Sequence, residues 1–289
     1  MQYYKINGIE AKIIADSIFW GNRLTTVQLR YHRYIHGEVM THRMFSRNAS
    51  SSRAIPVMKM LKQVWSDPAM PVHWGANQAG MQAKTELSGW KLKAAKFAWR
   101  TGAKLACVVA WTMNKIGLHK QIANRVLEPW QFIHVIVSAT EWANFFELRN
   151  HPDAQPEIQV LAKAIKEAMD SSTPKILAAG EYHLPYVTPD EFNKWGLLDC
   201  LKMSTARCAR VSYLTHDGKR PSREKDIELH DMLVVAEPLH ASPAEHQATP
   251  SKPEHFSKNF KGWKQYRSTL EEKKYKLATE ALYEYPNKL

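Results

Sequence analysis

The change of hydrophobic period near residue 32 constrains the fold of this chain more than any other feature. Residues 24–31 alternate apolar and polar side chains and are rich in β-branched residues, which predicts a strand. Residues 34–40 then place apolar side chains at helical spacing. A further apolar pattern over residues 8–18 suits another strand. We therefore predict an α+β fold in which a mixed or antiparallel sheet packs against helices.

Helical signals dominate the remainder of the sequence. Residues 83–113 are rich in Lys, Ala, Leu and Trp and predict one or two helices, and residues 119–148 are predicted to be helical as well. An amphipathic pattern over residues 156–169 begins with proline, which is tolerated in the first turn of a helix. Thr188-Pro189-Asp190-Glu191 is a capping box that should begin another helix. Ser222 is the expected N-cap of the next one.

Composition allows one large domain with an anionic partner. An apolar fraction of 44% can supply a core for 289 residues, and no low-complexity tract marks a boundary, so we predict a single domain over residues 1–289. The formal charge of +12 favours nucleic acid, nucleotides, dinucleotide cofactors or folate polyglutamates as partners. Lys and Arg are spread along the whole chain rather than gathered in a tail, which weakens the case for nucleic acid.

Cysteine usage and hydropathy indicate a reducing compartment. Cys107, Cys200 and Cys208 form neither a disulfide framework nor a CxxC metal motif. The apolar run over residues 105–111 is too short to span a bilayer. The N-terminal residues lack the charged-then-apolar pattern of a signal peptide. We expect a cytoplasmic protein with no membrane partner.

The segment over residues 41–53 is the densest group of anion-binding side chains. It holds three arginines, one histidine and five hydroxyls in thirteen residues, without a carboxylate. Guanidinium groups, hydroxyls and backbone N–H groups are the donors that hold phosphate, and arginine can bind it through two parallel hydrogen bonds. Composition alone leaves a phosphate site and a merely exposed charged loop about equally open.

The spacing within this segment resembles a family signature. Thr41-His42-Arg43 is followed, after Met44 and six further residues, by Ser51-Ser52-Arg53. This is similar to the Arg-His-Arg-x7-Ser-x-Arg signature of the flavin-dependent thymidylate synthases, with Thr41 standing where the family usually has Arg. The family uses a fold without the Rossmann glycine motif to bind flavin, and that motif is missing from this sequence as well.

Two further stretches can be interpreted with or without the resemblance. Arg125 could reach a ligand phosphate or pair with Glu128 within one helix. Asn144 and Leu148 share a helix face, and the neighbouring Arg149 either extends along the surface or points into a pocket. Asn144, Leu148, Arg149 and the following Ala-Gln-x-Glu-Ile resemble the second conserved block of the synthase family. Ser138-Ala139-Thr140 stands where that block has Asn-Ala-Arg.

A third block lies near the C-terminal end. His240-Ala241-Ser242-Pro243-Ala244-Glu245-His246 is similar to the His-Glu-Thr-Pro-Phe-Glu-His block of the family, which in most members precedes the His-Arg signature. The blocks keep their cyclic order, so we interpret the chain as a circular permutation. The spacing is not that of a helical metal motif, and we predict no metal site. Residues 56–115 align with no family segment and are predicted to be a helical insert.

The resemblance implies a role for each of these residues. It places the dUMP phosphate with Ser51, Ser52, Arg53 and Arg125. It makes Arg149 and His240 the catalytic residues, with Arg149 against the uracil ring and His240 near the nicotinamide or folate. The FAD-binding positions would be Thr41, His42, Arg43, Met44, Ser138, Thr140, Asn144, Ser242 and Glu245. The implied cofactors are FAD, NADPH and the co-substrate 5,10-methylenetetrahydrofolate, in a homotetramer with sites shared between subunits.

Three functions follow from these patterns. The first is reductive methylation of dUMP to dTMP. The second keeps the fold but gives 5-hydroxymethyl-dUMP, since Thr41, Ala49 and Thr140 depart from the family near the expected flavin and pyrimidine sites. The third is a non-enzymatic nucleic-acid-binding protein, for which interleaved Trp and Lys could supply stacking and phosphate contacts.

Overall fold

A twisted sheet organises the structure, which is a computed structural model that describes residues 3–211, 221–235 and 239–274. Five strands are paired in the order β1-β2-β3-β5-β4, and β6 adds to β2 in parallel. The bounds of these strands are β1 Tyr3–Ile6, β2 Ile9–Phe19, β3 Asn22–His32, β4 Ser46–Ala49, β5 Phe132–Ala139 and β6 Lys175–Ile176. All other pairings in this sheet are antiparallel, which confirms the predicted α+β class.

Two tight turns build the N-terminal part of the sheet. Asn7-Gly8 joins β1 to β2, and Trp20-Gly21 joins β2 to β3, with positive φ at all four residues. Paired positive φ angles are typical of the two-residue turns that match the twist of antiparallel strands. The hairpin β2–β3 therefore confirms both strands predicted over residues 8–31.

Strand β5 corrects the prediction of a helix over residues 119–148. That stretch contains the short helix α4 (Lys120–Ala123), a 3₁₀ helix over Asn124–Trp130, β5 and the helix α5 (Ala143–Arg149). Seven of the eight β5 residues are buried, because β5 lies between β3 and β4 with both faces covered. A short apolar run buried on both faces has no period that separates a strand from a helix.

The remaining helices surround the sheet. Their bounds are α1 His36–Met40, α2 Val57–Ser66, α3 Gly89–Lys115, α6 Pro156–Asp170, α7 Pro189–Arg210 and α8 Arg223–Val235. Helix α6 packs its apolar stripe on β1, β2 and β3 and completes the main core, as its amphipathic pattern predicted. Within the described ranges, none of the helices is both long and apolar enough to cross a bilayer.

The region predicted as an insert is helical and has its own apolar cluster. Helices α2 and α3 pack on each other and on the 3₁₀ helix, burying Val64, Cys107, Ala110 and Leu127. Helix α3 begins at Gly89, later than the predicted start at residue 83, because residues 74–76 and 85–87 pair with each other ahead of it. Its outer face keeps large apolar side chains in solvent.

Residues 248–265 pack against the main sheet. Short strands follow the third block, with bounds β7 Ala248–Pro250, β8 Phe256–Ser257, β9 Phe260–Lys261 and β10 Trp263–Gln265. The backbone of His183 bridges to Ala248, and Trp263 and Phe260 are fully buried with Leu24 of β3. The third block, which precedes these strands, contacts β4, the strand within the signature segment.

The capping box of α7 yields a stability prediction. Thr188 accepts from the backbone of Glu191, and Glu191 accepts in turn from the backbone of Thr188. We expect Thr188→Ala to lower the free energy of unfolding by about 1 kcal/mol, since the cap would be lost. The exposed Thr112→Ala on α3 is the matched control and should change it by less. Urea denaturation of both variants tests this, and equal effects would contradict the role of the cap.

Candidate functional site

The signature segment begins with a turn that an arginine holds in place. Helix α1 ends at Met40, where the sequence predicted the change from helix to loop. Arg47 Nη1 lies 3.4, 3.0 and 2.9 Å from the carbonyl oxygens of Val39, Met40 and His42. A guanidinium group at the last carbonyls of a helix satisfies acceptors that the helix leaves free. Arg47 therefore fixes the backbone of the turn, although composition alone had grouped it with the phosphate donors.

Arg149 meets this turn from the end of α5. Its Nε donates to His42 Nε2 at 2.9 Å, and its Nη2 donates to Thr41 Oγ1 at 3.2 Å. Its Nη1 forms an ion pair with Glu38 at 3.4 Å. The first and second sequence blocks are thus in direct contact, and Arg149 is oriented by three partners on one stretch of chain.

His42 is held as a neutral acceptor in this cluster. Burial lowers the pKa of His42, and the charges of Arg149 and Arg47 lower it further. The centroid of its ring lies 4.9 Å from that of Phe145, in an edge-on arrangement, and 5.7 Å from that of Phe45. A neutral ring can accept a hydrogen bond from Arg149 at Nε2. The rings of Phe45 and Phe145 pack against the imidazole and hold its orientation.

A face of exposed side chains surrounds the cluster. Arg43, Met44, Asn144 and Leu148 all reach solvent. Among the residues that the structure describes, Arg43 has no hydrogen-bond or ion-pair partner. A free guanidinium group, an amide and two apolar side chains suit a ligand that is flat and apolar at one end and anionic at the other. Of these four residues, Arg43, Met44 and Asn144 are predicted FAD positions, and their exposure leaves them open to such a ligand.

The other end of the signature meets the stretch around Arg125 through Glu128. One carboxylate oxygen of Glu128 lies 2.8 Å from Arg125, 3.1 Å from Arg33 and 3.3 Å from Ser52 Oγ. Arg125 thus forms the pair with Glu128 that the sequence left open. Through Glu128 this pair connects Arg125 to Ser52, which lies next to Ser51 and the exposed Arg53 in the chain.

The third block contacts the middle of the signature. The Asn48 amide lies 3.3 Å from Ser242 Oγ and 3.0 Å from His246 Nε2. Ser242 and His240 are exposed, whereas Glu245 forms an ion pair with Arg267. Strand β4 and the residues that flank it therefore contact three groups: the Arg149 cluster, the third block and the Glu128 cluster.

Two predicted FAD positions are occupied by internal hydrogen bonds. Ser138 is fully buried in β5 and lies 2.6 Å from Thr26 Oγ1 and 2.8 Å from His246 Nδ1. Thr140 Oγ1 accepts from the backbone N–H of Lys261 at 3.0 Å. A buried hydroxyl with two partners cannot touch a ligand directly, so any effect of Ser138 on one must pass through His246.

A cleft of about 1020 Å³ opens beside Arg149. Its walls include Tyr34, Trp99 and Glu38 together with residues 71–73, 75 and 81–84 and the start of α6. Ser51, Arg53 and Ser242 do not line this cleft. Within one chain, these three predicted ligand-binding residues therefore lie outside the cleft that Arg149 lines. That a neighbouring subunit completes the binding site stays a prediction.

The described part of the chain holds no group of three His, Cys, Asp or Glu side chains placed to bind a metal ion. His32 and His36, which lie four residues apart, are engaged separately. His32 Nε2 lies 2.8 Å from the Met70 carbonyl oxygen, and His36 Nδ1 lies 2.8 Å from the Tyr31 hydroxyl.

Sequence reasoning missed three residues that complete these clusters. Glu38 pairs with Arg149, and Asn48 and His246 connect the signature to the third block. His246 stood within a quoted motif, yet only packing identifies its partners, whereas Glu128 was already named from the sequence as a possible partner of Arg125. Asn48 lies two residues before Ser50 in an arginine- and serine-rich segment, and its polar side chain was the one available signal.

Comparison with known proteins agrees with the sequence resemblance. Residues 24–175, more than half of the chain, match the family model described as thymidylate synthase complementing protein. The matched stretch contains His42, Arg53, Arg125 and Arg149, and it includes the region predicted as an insert. It does not include residues 205–246. No curated protein matches the sequence significantly.

Two solved structures of a UMP/dUMP methylase, PolB from Streptomyces cacaoi, are similar to this chain. The structure bound with 5-Br dUMP has 19% sequence identity and a TM-score of 0.43, over 51% of this chain and 66% of that one. The structure bound with 5-Br UMP has 15% identity and a TM-score of 0.46, over 57% of this chain and 89% of that one. The chain thus spans just under two thirds of the first structure.

Buried histidines next to the site make stability depend on pH. Burial lowers the pKa of His183 and His246 to about 3, against about 6.5 in an unfolded chain. The unfolded state therefore gains protons below pH 6.5 while the folded state keeps both rings neutral, so stability is lost as the pH falls from about 6.5 toward about 3. We expect a loss on the order of 2 kcal/mol per ring at pH 5.

Urea denaturation at pH 7.5 and pH 5.0 measures this loss. The exposed His255→Gln is the control and should keep the pH dependence of the wild type. An unfolding free energy that is equal at both pH values would show that the two rings are not buried in neutral form.

Proposed function

Because this chain belongs to the thymidylate synthase complementing protein family, we propose that it is a flavin-dependent enzyme that transfers a one-carbon unit to dUMP and yields dTMP. The observation that carries the proposal is the contact of Arg149 with Thr41 and His42, which joins two family blocks within the matched stretch. The spacing of these blocks in the sequence and the contact between them in the structure are two independent observations that support the proposal.

The reaction requires C5 of the uracil ring to become nucleophilic. A thiol could do this by adding to C6, but Cys107, Cys200 and Cys208 are all buried, and burial raises the pKa of each. A buried neutral thiol is a poor nucleophile. An arginine held against the O2/N3 edge can instead stabilise the negative charge that develops on the ring. Arg149 is the proposed residue, since its partners orient it without hiding it from solvent.

The cofactors supply the hydride and the one-carbon unit. FAD recharged by NADPH provides the hydride when bound, and 5,10-methylenetetrahydrofolate provides the carbon. His42, Arg43, Met44 and Asn144 would hold the flavin, with Thr41 and Ser242 at its borders. Ser51, Arg53 and Arg125 would bind the dUMP phosphate, for which Arg125 must exchange part of its pairing with Glu128. Ser52 is buried and donates to Glu128, so it would act on the phosphate site through that carboxylate.

A homotetramer is part of the proposal. Helix α3 exposes Trp90, Phe97 and Leu105, with 75%, 72% and 62% of each residue accessible. Large apolar side chains grouped on one exposed helix favour an interaction with another chain. Assembly would also bring exposed site residues such as Arg53 and His240 toward another subunit.

A visible absorbance spectrum and the mass of the product test the function. The purified protein should carry the spectrum of an oxidised flavin and convert dUMP, folate and NADPH to dTMP. A product heavier by one oxygen would identify 5-hydroxymethyl-dUMP and support the second function. A colourless protein that binds oligonucleotides in a salt-sensitive way would contradict both enzymes.

Arg149→Ala should lower turnover by about 10²- to 10³-fold, since a charge partner of the transition state would be lost. Arg149→Lys keeps the charge but not the planar fork and should recover only part of the rate. The exposed Arg100→Ala is the matched control. Flavin content measured for each variant separates lost chemistry from lost cofactor, and near-normal turnover of Arg149→Ala would overturn the assignment.

Ser51→Ala and Arg53→Ala should weaken dUMP binding more than flavin binding, because both residues are proposed to hold the phosphate. Titration of each variant with dUMP and with FAD gives the two affinities. If FAD affinity falls more than dUMP affinity, the two pockets have been exchanged.

A further inference from the structure

A row of buried polar side chains crosses the sheet behind the third block. It runs from Ser17 on β2 through His183, Thr26 on β3 and Ser138 on β5 to His246. The four contacts measure 2.8, 2.7, 2.6 and 2.8 Å in that order, and no member is more than 5% exposed. Buried polar groups cost free energy unless they are paired, and each member of this row is paired on both sides or ends the row.

The last contact of the row leaves the core and reaches the site. His246 Nε2 lies 3.0 Å from the Asn48 amide on β4, and the outer end of that amide lies 3.3 Å from Ser242 Oγ. We call the six residues the histidine relay: Ser17, His183, Thr26, Ser138, His246 and Asn48. The proposed chemistry uses none of the first five directly.

The surroundings of Asn48 determine the direction of the relay. With its nitrogen turned inward, the amide donates to His246 Nε2 at 3.0 Å and to the carbonyl oxygens of Ser242 and Arg47 at 3.1 and 3.2 Å. With the amide reversed, its oxygen would face those same two carbonyl oxygens and be repelled. The inward nitrogen is therefore favoured, which leaves the amide oxygen facing Ser242 Oγ.

One set of proton positions then satisfies every member. His246 accepts at Nε2, so it carries its proton on Nδ1 and donates to Ser138. Ser138 donates to Thr26, Thr26 donates to His183 Nε2, and His183 donates from Nδ1 to Ser17. Both rings are neutral and both carry the proton on Nδ1. The tautomers are assigned here from the hydrogen-bond network.

We propose that His246 is a positioning residue that holds the Asn48 amide oxygen toward Ser242, and that the relay behind it fixes the tautomer required for this. The fixed oxygen is an acceptor at the border of the proposed flavin site, so it favours a ligand that presents an N–H group there. This last step rests on the proposed function, whereas the relay itself does not.

Removal of one hydroxyl tests the proposal. Ser138→Ala takes away the acceptor of His246 Nδ1, and Ser204→Ala is the matched control because Ser204 is equally buried and donates to Pro185 outside the relay. Two-bond ¹H–¹⁵N spectra of histidine-labelled protein without ligand report which ring nitrogen carries the proton. Peaks are assigned with His246→Gln and His183→Gln.

We expect Nδ1–H on both rings in the wild type and in Ser204→Ala. In Ser138→Ala we expect His246 to gain the Nε2–H form and FAD affinity to fall by about tenfold, as for loss of one buried hydrogen bond. Thr26→Val keeps the shape of the side chain but removes the hydroxyl that contacts Ser138, one residue further along the relay from His246. It should produce the same tautomer change, and it replaces Ser138→Ala in the test if that variant does not fold.

Three results would overturn the proposal: Nε2–H on His246 in the wild type, an unchanged His246 tautomer in both relay variants, or equal losses of FAD affinity in Ser138→Ala and Ser204→Ala. A wild-type protein without affinity for FAD would contradict the proposed function instead. The tautomer measurement would still decide whether the relay exists.

Discussion

The pairing of β5 with both β3 and β4 is the constraint on which the candidate site depends. Ser138 of β5 lies opposite Thr26 on one side and opposite Ser46 on the other. The signature segment starts after β3 and includes β4, while α5 with Arg149 follows β5. Because paired strands lie about 4.8 Å apart and β4 runs antiparallel to β5, the segments that precede β4 and follow β5 lie close together, and there Arg149 contacts His42. A change of register in this pairing would separate Arg149 from His42 and also break the contact between Thr26 and Ser138.

Charge balance explains how a segment without carboxylates can be packed. Residues 41–53 contain three arginines, and the acids that face the site come from elsewhere: Glu38 from α1 and Glu128 from the 3₁₀ helix. Glu38 orients Arg149, and Glu128 pairs with Arg125 and Arg33, while Arg43 and Arg53 stay exposed. An exposed arginine without an ion pair keeps its full attraction for an anionic ligand, whereas a paired one is held in place.

Local signals predicted several elements well and one badly. The strand over residues 24–31, the helix of residues 156–169 and the capping box at Thr188 depend on side-chain period and on neighbours within four positions, and the structure confirms them. The helix predicted over residues 119–148 was wrong at its centre. A strand buried on both faces lacks alternation, and its identity is decided by the partner strands on either side.

The family, the α+β class and the residue types available to bind an anion can be predicted from the linear chain, since the spacing of His42, Arg43, Ser51 and Arg53 is a property of that chain. Which of these residues are free to meet a ligand depends on how the chain is packed. Arg47 is used to hold a helix end, Arg125 pairs with Glu128, and Ser138 is enclosed in a buried relay. Whether a polar group is exposed or already satisfied depends on contacts between residues far apart in the chain, and local pattern does not carry that information.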